Sequence, residues 1–468
     1  MKRVTLFVLL LVFTLGCWGQ KTPASRKHVV AVVDPRIELL ALMARLAGLG
    51  GYDSRVIKRY TDDIDRHFAK DSLHPAILYL KQLKRKYQLG YDAVARMAIH
   101  LDYPSLKPRV AFTSAIPEPR WTKEGAEAFL PLLQQFYKDT RFDSFFVSHK
   151  NMYVQAEKRF QVLLDQADYG WFPRFYGYQP EGPFSVFLGL QNGGFSYGPK
   201  VELPDGEEFY AIMATYKTDS AGLPIYDLGM LPTVVHEFNH SFINHLVLND
   251  TLAWKPFAEP VHKQVEYQMG KLFYPQWRIS LYESLVRAAV IRYEIEHDTT
   301  GARAALAIAE EKRNGFYWID DLVTLMGIYE NSRKQYENFV SFVPVLKTYL
   351  KDLATNMKFR YKTYSEQIPK LVATLPFENG ATDVDPNIKE LTMVFSRSMR
   401  GWSFGHTELG SEHYPLESVI GWDDSFTQLK IKVNLKPGWN YEMLIRDEGF
   451  RTRDGYSLIP MVFSFRTR

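Results

Sequence analysis

The residues best equipped for chemistry are five in a row, His236-Glu237-Phe238-Asn239-His240. On a helix of 3.6 residues per turn, positions i and i+4 share a face, so both imidazoles can meet one metal ion. Glu237 follows the first histidine and is aimed away from the metal itself. It is placed to act as general base on a metal-bound water that attacks a carbonyl. Two histidines and a carboxylate with an open fourth position make a hydrolytic Zn²⁺ site.

Asn244 lies one turn beyond His240 and can orient that ligand, or bond locally near the helix end. His245 is five residues past His240, about 140° round the helix, and is read as a surface or capping histidine. The third metal ligand has two candidates. Glu259 stands eighteen residues after His240, the spacing of aminopeptidase-like gluzincins, but Pro260 follows it. Glu283 lies on a strong helical pattern, Tyr282 to Tyr293. Ser280-x-x-Glu283 also reads as a capping box, and Glu283 with Arg287 as an i,i+4 pair. Spacing alone leaves the two open.

The elements that must hold these groups follow from periodicity. Residues 28–33 read as a short buried strand ended by Asp34-Pro35, and a helix runs from Ile37 to Gly48. Residues 60–150 are mostly helical, as at 76–87 and 123–140. Phe184 to Leu190 alternates with period two, and 208–216 is a second strand. Either is a candidate sheet edge for pairing with an extended peptide. The motif helix spans 228–248. Further helices are expected at 260–272, 279–297, 303–313, 319–354 and 363–372. From Leu375 the helical period gives way to short alternating strands with Gly/Pro/Asn/Asp turns.

Composition narrows the class. The 468 residues are 46% hydrophobic and 24% charged, which excludes a disordered, collagen-like or coiled-coil chain. A net charge of +4 is too balanced for a nucleic-acid binder. A single cysteine excludes an intramolecular disulfide and a cysteine-rich zinc site, so a metal must be held by His, Asp or Glu. That cysteine, Cys17, follows Lys2-Arg3 and a twelve-residue, largely apolar run. The pattern is a signal peptide over 1–16, and Thr14-Leu15-Gly16-Cys17 resembles a lipobox. The expected protein is exported and lipid-anchored to the cell envelope through Cys17, or otherwise periplasmic, with 17–27 as a tether.

Three blocks carry a family resemblance: Val33-Asp34-Pro35-Arg36-Ile37-Glu38-Leu39-Leu40, His236 to Asn244, and Glu283-Ser284-Leu285-Val286-Arg287-Ala288. Together they resemble an exported bacterial family labelled domain of unknown function 4932, over roughly residues 28–350. The family looks like gluzincin metallopeptidases, which implies Glu283 as the third ligand. Tyr329, Arg333 and Tyr336 resemble a further family block. The resemblance implies a phenol that stabilises the oxyanion, with Tyr336 or Tyr293 as candidates. The tail, through Pro376-x-x-Asn379-Gly380-Ala381-Thr382-Asp383, Val394-Phe395-Ser396 and Leu435-x-Pro437-Gly438-x-x-Tyr441, is similar to a bacterial Ig-like domain of the S-layer type. That resemblance implies a spacer or adhesion module.

The expected architecture is therefore α+β: a zincin-like, mostly helical domain over 28–374 with a small mixed sheet, then an all-β Ig-like sandwich over 375–468. The expected activity is zinc-dependent hydrolysis of a peptide or protein substrate. The alternative is a non-catalytic, zincin-fold binding or adhesion lipoprotein.

Overall fold

A computed structural model describes residues 29–179 and 182–468. The signal peptide, the tether and Cys17 lie outside the described residues. The chain is α+β, about half helical, with small sheets and a β-rich C-terminal region. Among the described residues no helix is long and apolar enough to cross a membrane.

The first sheet has four strands: β1 (Ala31–Val32), β2 (Phe184–Gly189), β3 (Lys200–Leu203) and β4 (Gly206–Ala214), in the order β1-β2-β4-β3. β1 and β4 both run parallel to β2, with Ala31 opposite Val186 and Phe187 opposite Ile212. β3 turns back antiparallel to β4 through the hairpin Leu203 to Gly206. The two strands expected as edges, β2 and β4, are therefore internal. Their long apolar runs fit strands covered on both faces better than a free edge. The edge strands are β1 and β3; the Gln161 and Glu157 side chains of the helix at 150–164 bond the outer backbone groups of β1, which leaves β3 as the open edge.

Helix α1 (Pro35–Ala47) follows β1 directly, with Asp34 as its cap. The Asp34 carboxylate accepts from the backbone N–H groups of Arg36 and Ile37, and Pro35 fills the first turn, where its missing N–H costs nothing. Glu38, one turn on, is fully buried. It accepts from Leu190 N, Gln191 Nε2 and the Tyr60 hydroxyl at 3.0, 2.9 and 2.8 Å. So the Asp-Pro-Arg-Ile-Glu block starts a helix and pins the loop that leaves β2. Burial pushes the Glu38 carboxyl up from its ordinary value despite those three donors.

Helices α2 (Lys58–His67), α3 (Pro75–Tyr87), α4 (Asp92–Ile99), α5 (Lys123–Asp139), α6 (Phe142–Ser148), α7 (Lys150–Leu164) and α8 (Trp171–Tyr176) complete the N-terminal half. After the sheet come α9 (Leu231–Leu248), α10 (Thr251–Lys271), α11 (Trp277–His297), α12 (Ala302–Arg313), α13 (Ile319–Asn331) and α14 (Phe339–Gln367). The helix expected over 319–354 is thus two, and the second begins where the Asn338 side chain caps Ser341 N. The helix expected over 363–372 is not a separate element: its first half is the end of α14, which runs to Gln367, and β5 (Leu371–Leu375) already pairs with the tail. The β-rich region therefore starts a few residues before the expected boundary at 374.

That region holds β6 (Glu390–Phe395), β7 (Met399–Arg400), β8 (Phe404–Gly405), β9 (Leu416–Trp422), β10 (Gln428–Val433), β11 (Asn440–Ile445), β12 (Arg451–Thr452) and β13 (Met461–Arg466). One sheet runs β5-β6-β10-β9 and another β13-β11-β8. Leu391, Met393, Phe395, Leu429, Ile431, Val433, Tyr441, Met443, Phe463 and Phe465 alternate inward and form an apolar core of their own. The helices and the first sheet share a separate core.

Candidate metal centre

Helix α9 is held by its apolar face. Phe238 and Phe242 pack against an aromatic group from α8 and β2. The Tyr176 and Phe242 rings stack 4.4 Å apart, and Phe184 lies 4.4 Å from Phe238. Asn239, fully buried, donates to Val235 O and accepts from the Tyr176 hydroxyl. This fixes the rotation of α9 and turns His236 and His240 to the opposite face, towards α11.

There the structure brings His236, His240 and Glu283 together. The two Nε2 atoms are 3.1 Å apart. Glu283 reaches both, with Oε2 at 3.6 Å from His236 Nε2 and Oε1 at 3.5 Å from His240 Nε2. A tetrahedral zinc with ligand bonds of about 2.0–2.1 Å has ligand–ligand edges of about 3.3–3.4 Å. The two nitrogens, and each nitrogen with its nearer Glu283 oxygen, lie within a few tenths of an ångström of that value, and the donor set is the nitrogen and carboxylate chemistry zinc takes. The residues fit the metal. The three side chains are 19, 11 and 8% exposed, so the centre is reached from one side only. Burial holds His236 well below the ordinary histidine range, with the neighbouring His240 adding to the effect. A neutral imidazole is the form that ligates.

Each ligand is itself oriented. His240 Nδ1 donates to Asn244 Oδ1 at 3.0 Å, which aims Nε2 at the centre. Glu283 Oε2 accepts from the Tyr274 hydroxyl at 3.1 Å and lies 3.4 Å from Arg287 Nε. Arg287 donates to Tyr274 and makes two 2.7 Å bonds to Glu311 on α12. Ser280, by contrast, is inside α11 and bonds to His262, so Glu283 takes no part in a capping box. Tyr274 and Glu311 escaped the sequence reading. Tyr274 sits in a loop with no periodicity to mark it, and only the Glu283–Arg287 spacing pointed towards the network.

Glu237 is buried near Glu283 and is not one of the three grouped residues. Its carboxyl is pushed well above the ordinary value by burial, and further by Glu283. The segment that leads into β3 passes against the backbone of Glu237. A Cβ on Gly198 would lie 2.1 Å from Glu237 O, so only glycine allows this approach. Tyr197, beside it, pairs with Ile212 of β4.

The remaining expected residues lie elsewhere. Glu259 is on α10, whose prolines 256 and 260 stay inside the helix, and its nearest cation is Lys263 at 4.0 Å. Tyr293 is ten residues beyond Glu283 on α11, about 15 Å along the axis. Its hydroxyl accepts from Asp168 N, and its ring stacks on His297 at 4.0 Å. Tyr336 accepts from Gln335 and packs edge-on against Phe342, and no hydrogen bond among the described residues joins it to the triad. Tyr329 and Arg333 bond instead to the backbone of Phe175. His245 is outside the triad, as its position round the helix requires.

A second group, Asp168, Glu296 and His297, also brings ligand atoms together. Arg174 already fills it, at 2.7 Å from both Asp168 and Glu296, so it is an ion-pair cluster.

The fold and site define an α+β protein with a buried His-His-Glu centre on two packed helices. Over residues 29–348 the chain matches the model of a family described as domain of unknown function DUF4932, and it belongs to that family. No curated protein matches it. Among solved structures it is similar to the S-layer protein rSbsC(31-844), at 14% identity and a TM-score of 0.18 over 50% of this chain and 33% of that one. Domains 1–6 of surface layer protein SbsC give 16% identity and 0.19, over 51% and 33%. The chain thus spans about a third of these two structures, and at such scores no fold or function carries across.

Proposed function

We propose that this protein is a zinc-dependent peptidase of the gluzincin type. The observation that carries the reading is the meeting of His236 Nε2, His240 Nε2 and the Glu283 carboxylate at tetrahedral edge lengths, with the Glu237 carboxyl buried beside them. Zinc, when bound, supplies the Lewis acidity that activates water and polarises a carbonyl. Glu237 takes the proton of the attacking water and passes it to the leaving amine. Tyr274, Arg287 and Asn244 hold the ligands in place. An extended substrate pairs with the outer edge of β3, whose lead-in segment lies against the Glu237 backbone at Gly198.

The zincin-like fold belongs to the same proposal. It is supported by parallel strands, an antiparallel edge strand and a motif helix packed against β4, the neighbour of that edge strand. The tail is proposed as an Ig-like spacer, and Cys17 as the lipid attachment point of an exported protein.

The test is metal analysis of the purified chain with a peptide-library digest, with and without a chelator. About one zinc per chain is expected, with cleavage that chelation abolishes and zinc restores. Bound zinc with no cleavage of any peptide, or full activity in His236→Ala, overturns the peptidase reading. The first outcome leaves a zinc-holding binding protein.

A further inference from the structure

Three aromatic rings are exposed beside the metal centre, from parts of the chain far apart in sequence. Tyr91 precedes α4, Phe195 lies between β2 and β3, and Phe273 follows α10. The Tyr91 and Phe195 rings meet edge-on at 5.2 Å, and Tyr91 and Phe273 lie 6.5 Å apart. Gly51 sits at the junction: a Cβ there would be 3.2 Å from Tyr91, 3.5 Å from Phe195 and 3.4 Å from the Tyr197 hydroxyl.

Two features set this group apart from scattered surface aromatics. Tyr91 (φ 52°) and Phe273 (φ 63°) both occupy the left-handed region, where bulky residues are rare and glycine is the usual choice. Phe273 is also 71% exposed. A largely solvent-facing ring on a costly backbone, as at Phe273, gains little from burial, and such strain gathers at ligand sites. The Tyr91 backbone is held by Tyr91 N to Gly50 O and by the Tyr52 hydroxyl to Tyr91 O, both 2.9 Å.

The group is joined to the centre on two sides. Tyr274, next to Phe273, bonds to the ligand Glu283. Gly198, three residues after Phe195, lies against the backbone of Glu237.

We infer that Tyr91, Phe195 and Phe273 form a specificity pocket that takes a large apolar side chain, aromatic or long aliphatic, flanking the bond to be cut. This rests on the peptidase reading for its substrate class, and the test separates the two.

The test uses the full chain. Cleavage sites of the zinc-loaded protein are mapped on a peptide library. In parallel, the Glu237→Gln protein is titrated calorimetrically with blocked pentapeptides that differ only in a central Phe or Ala. Phe273→Gly and Tyr91→Gly follow in both assays. Glycine accepts positive φ freely, so these variants relieve the backbone and a lost preference is not a loss of fold. The expected result is cleavage beside Phe, Tyr or Leu, and binding of the Phe peptide about 10- to 100-fold tighter than the Ala peptide. Either glycine variant should reduce that ratio to about threefold or less. Cleavage with no preference, or a preference the glycine variants keep, overturns the pocket and leaves the peptidase. A Phe273-dependent binding preference without cleavage by the zinc-loaded protein keeps the pocket and overturns the peptidase. Binding of neither peptide, without cleavage, overturns both.

Discussion

The Tyr274 hydroxyl donates to Glu283 across 3.1 Å and accepts from Arg287 at 2.9 Å. The phenol is thus a link between a candidate ligand and a guanidinium that Glu311 anchors from α12. A carboxylate fixed in this way presents its oxygens to the histidines without a search over rotamers. Replacing Tyr274 by Phe removes the link and keeps the ring. Zinc affinity should fall by about 10- to 100-fold, read by competition against chelators of graded strength. An affinity equal to that of the unaltered protein would show that Arg287 alone orients Glu283.

Glu237 carries the chemistry and none of the ligation, so the two functions should separate. Glu237→Gln keeps the shape and removes the base. Its zinc content should stay at that of the parent, while turnover falls by at least about 10²- to 10⁴-fold. The melting temperature should not drop, because an amide in this buried place avoids the cost of a buried carboxyl group. Loss of zinc in this variant would mean that Glu237 ligates.

Much of this centre was legible in the sequence, for a physical reason. A metal ligand pair on one helix is a local pattern, and Leu231–Leu248 forms the helix that pattern demands. Spacing left Glu283 as one of two options, because the distance from α9 to α11 depends on how α10 folds between them, and only the family resemblance chose it. Pro260 after Glu259 placed the start of α10 near residue 260, yet it runs from Thr251 with a kink at Val265. The sheet order was hidden for a similar reason. Alternation in Phe184–Gly189 marks a strand but does not tell an edge from a centre, and β1 of only two residues is enough to cover it. The tyrosines were the weakest inference. A phenol has no periodicity, and Tyr293 and Tyr336 turn out to serve hydrogen bonds away from the triad.

His100 should give the protein a measurable acid sensitivity. It is buried at the end of α4, where Nδ1 donates to Arg96 O at 2.7 Å, and burial pushes its pKa down to about 4. In the unfolded chain it titrates near 6.5, so between these values the unfolded state binds the extra proton. Its contribution is complete above about pH 6.5 and is lost as the pH falls through 4, an effect of about 3 kcal/mol. Urea denaturation of the parent and of His100→Gln at pH 7 and 4.5 should show the parent losing about 2–3 kcal/mol more than the variant. Parallel pH curves would place the acid sensitivity elsewhere.

The hold on α9 can be tested with two neighbouring tyrosines. The Tyr176 hydroxyl satisfies Asn239 Oδ1 in a fully buried setting, while its ring stacks on Phe242. Tyr178 packs on the same Phe242 ring at 5.6 Å, but among the described residues no group partners its hydroxyl. Tyr176→Phe leaves a buried amide oxygen without a donor and should cost about 1–3 kcal/mol. Tyr178→Phe removes a hydroxyl that was already unpaired, so stability should hold or rise. Because Asn239 stands between the two histidines in sequence, the Tyr176→Phe penalty should appear in zinc binding as well as in unfolding. Equal effects from the two substitutions, measured by urea denaturation of the metal-free protein, would show that ring packing alone, and not the Asn239 bond, fixes the helix.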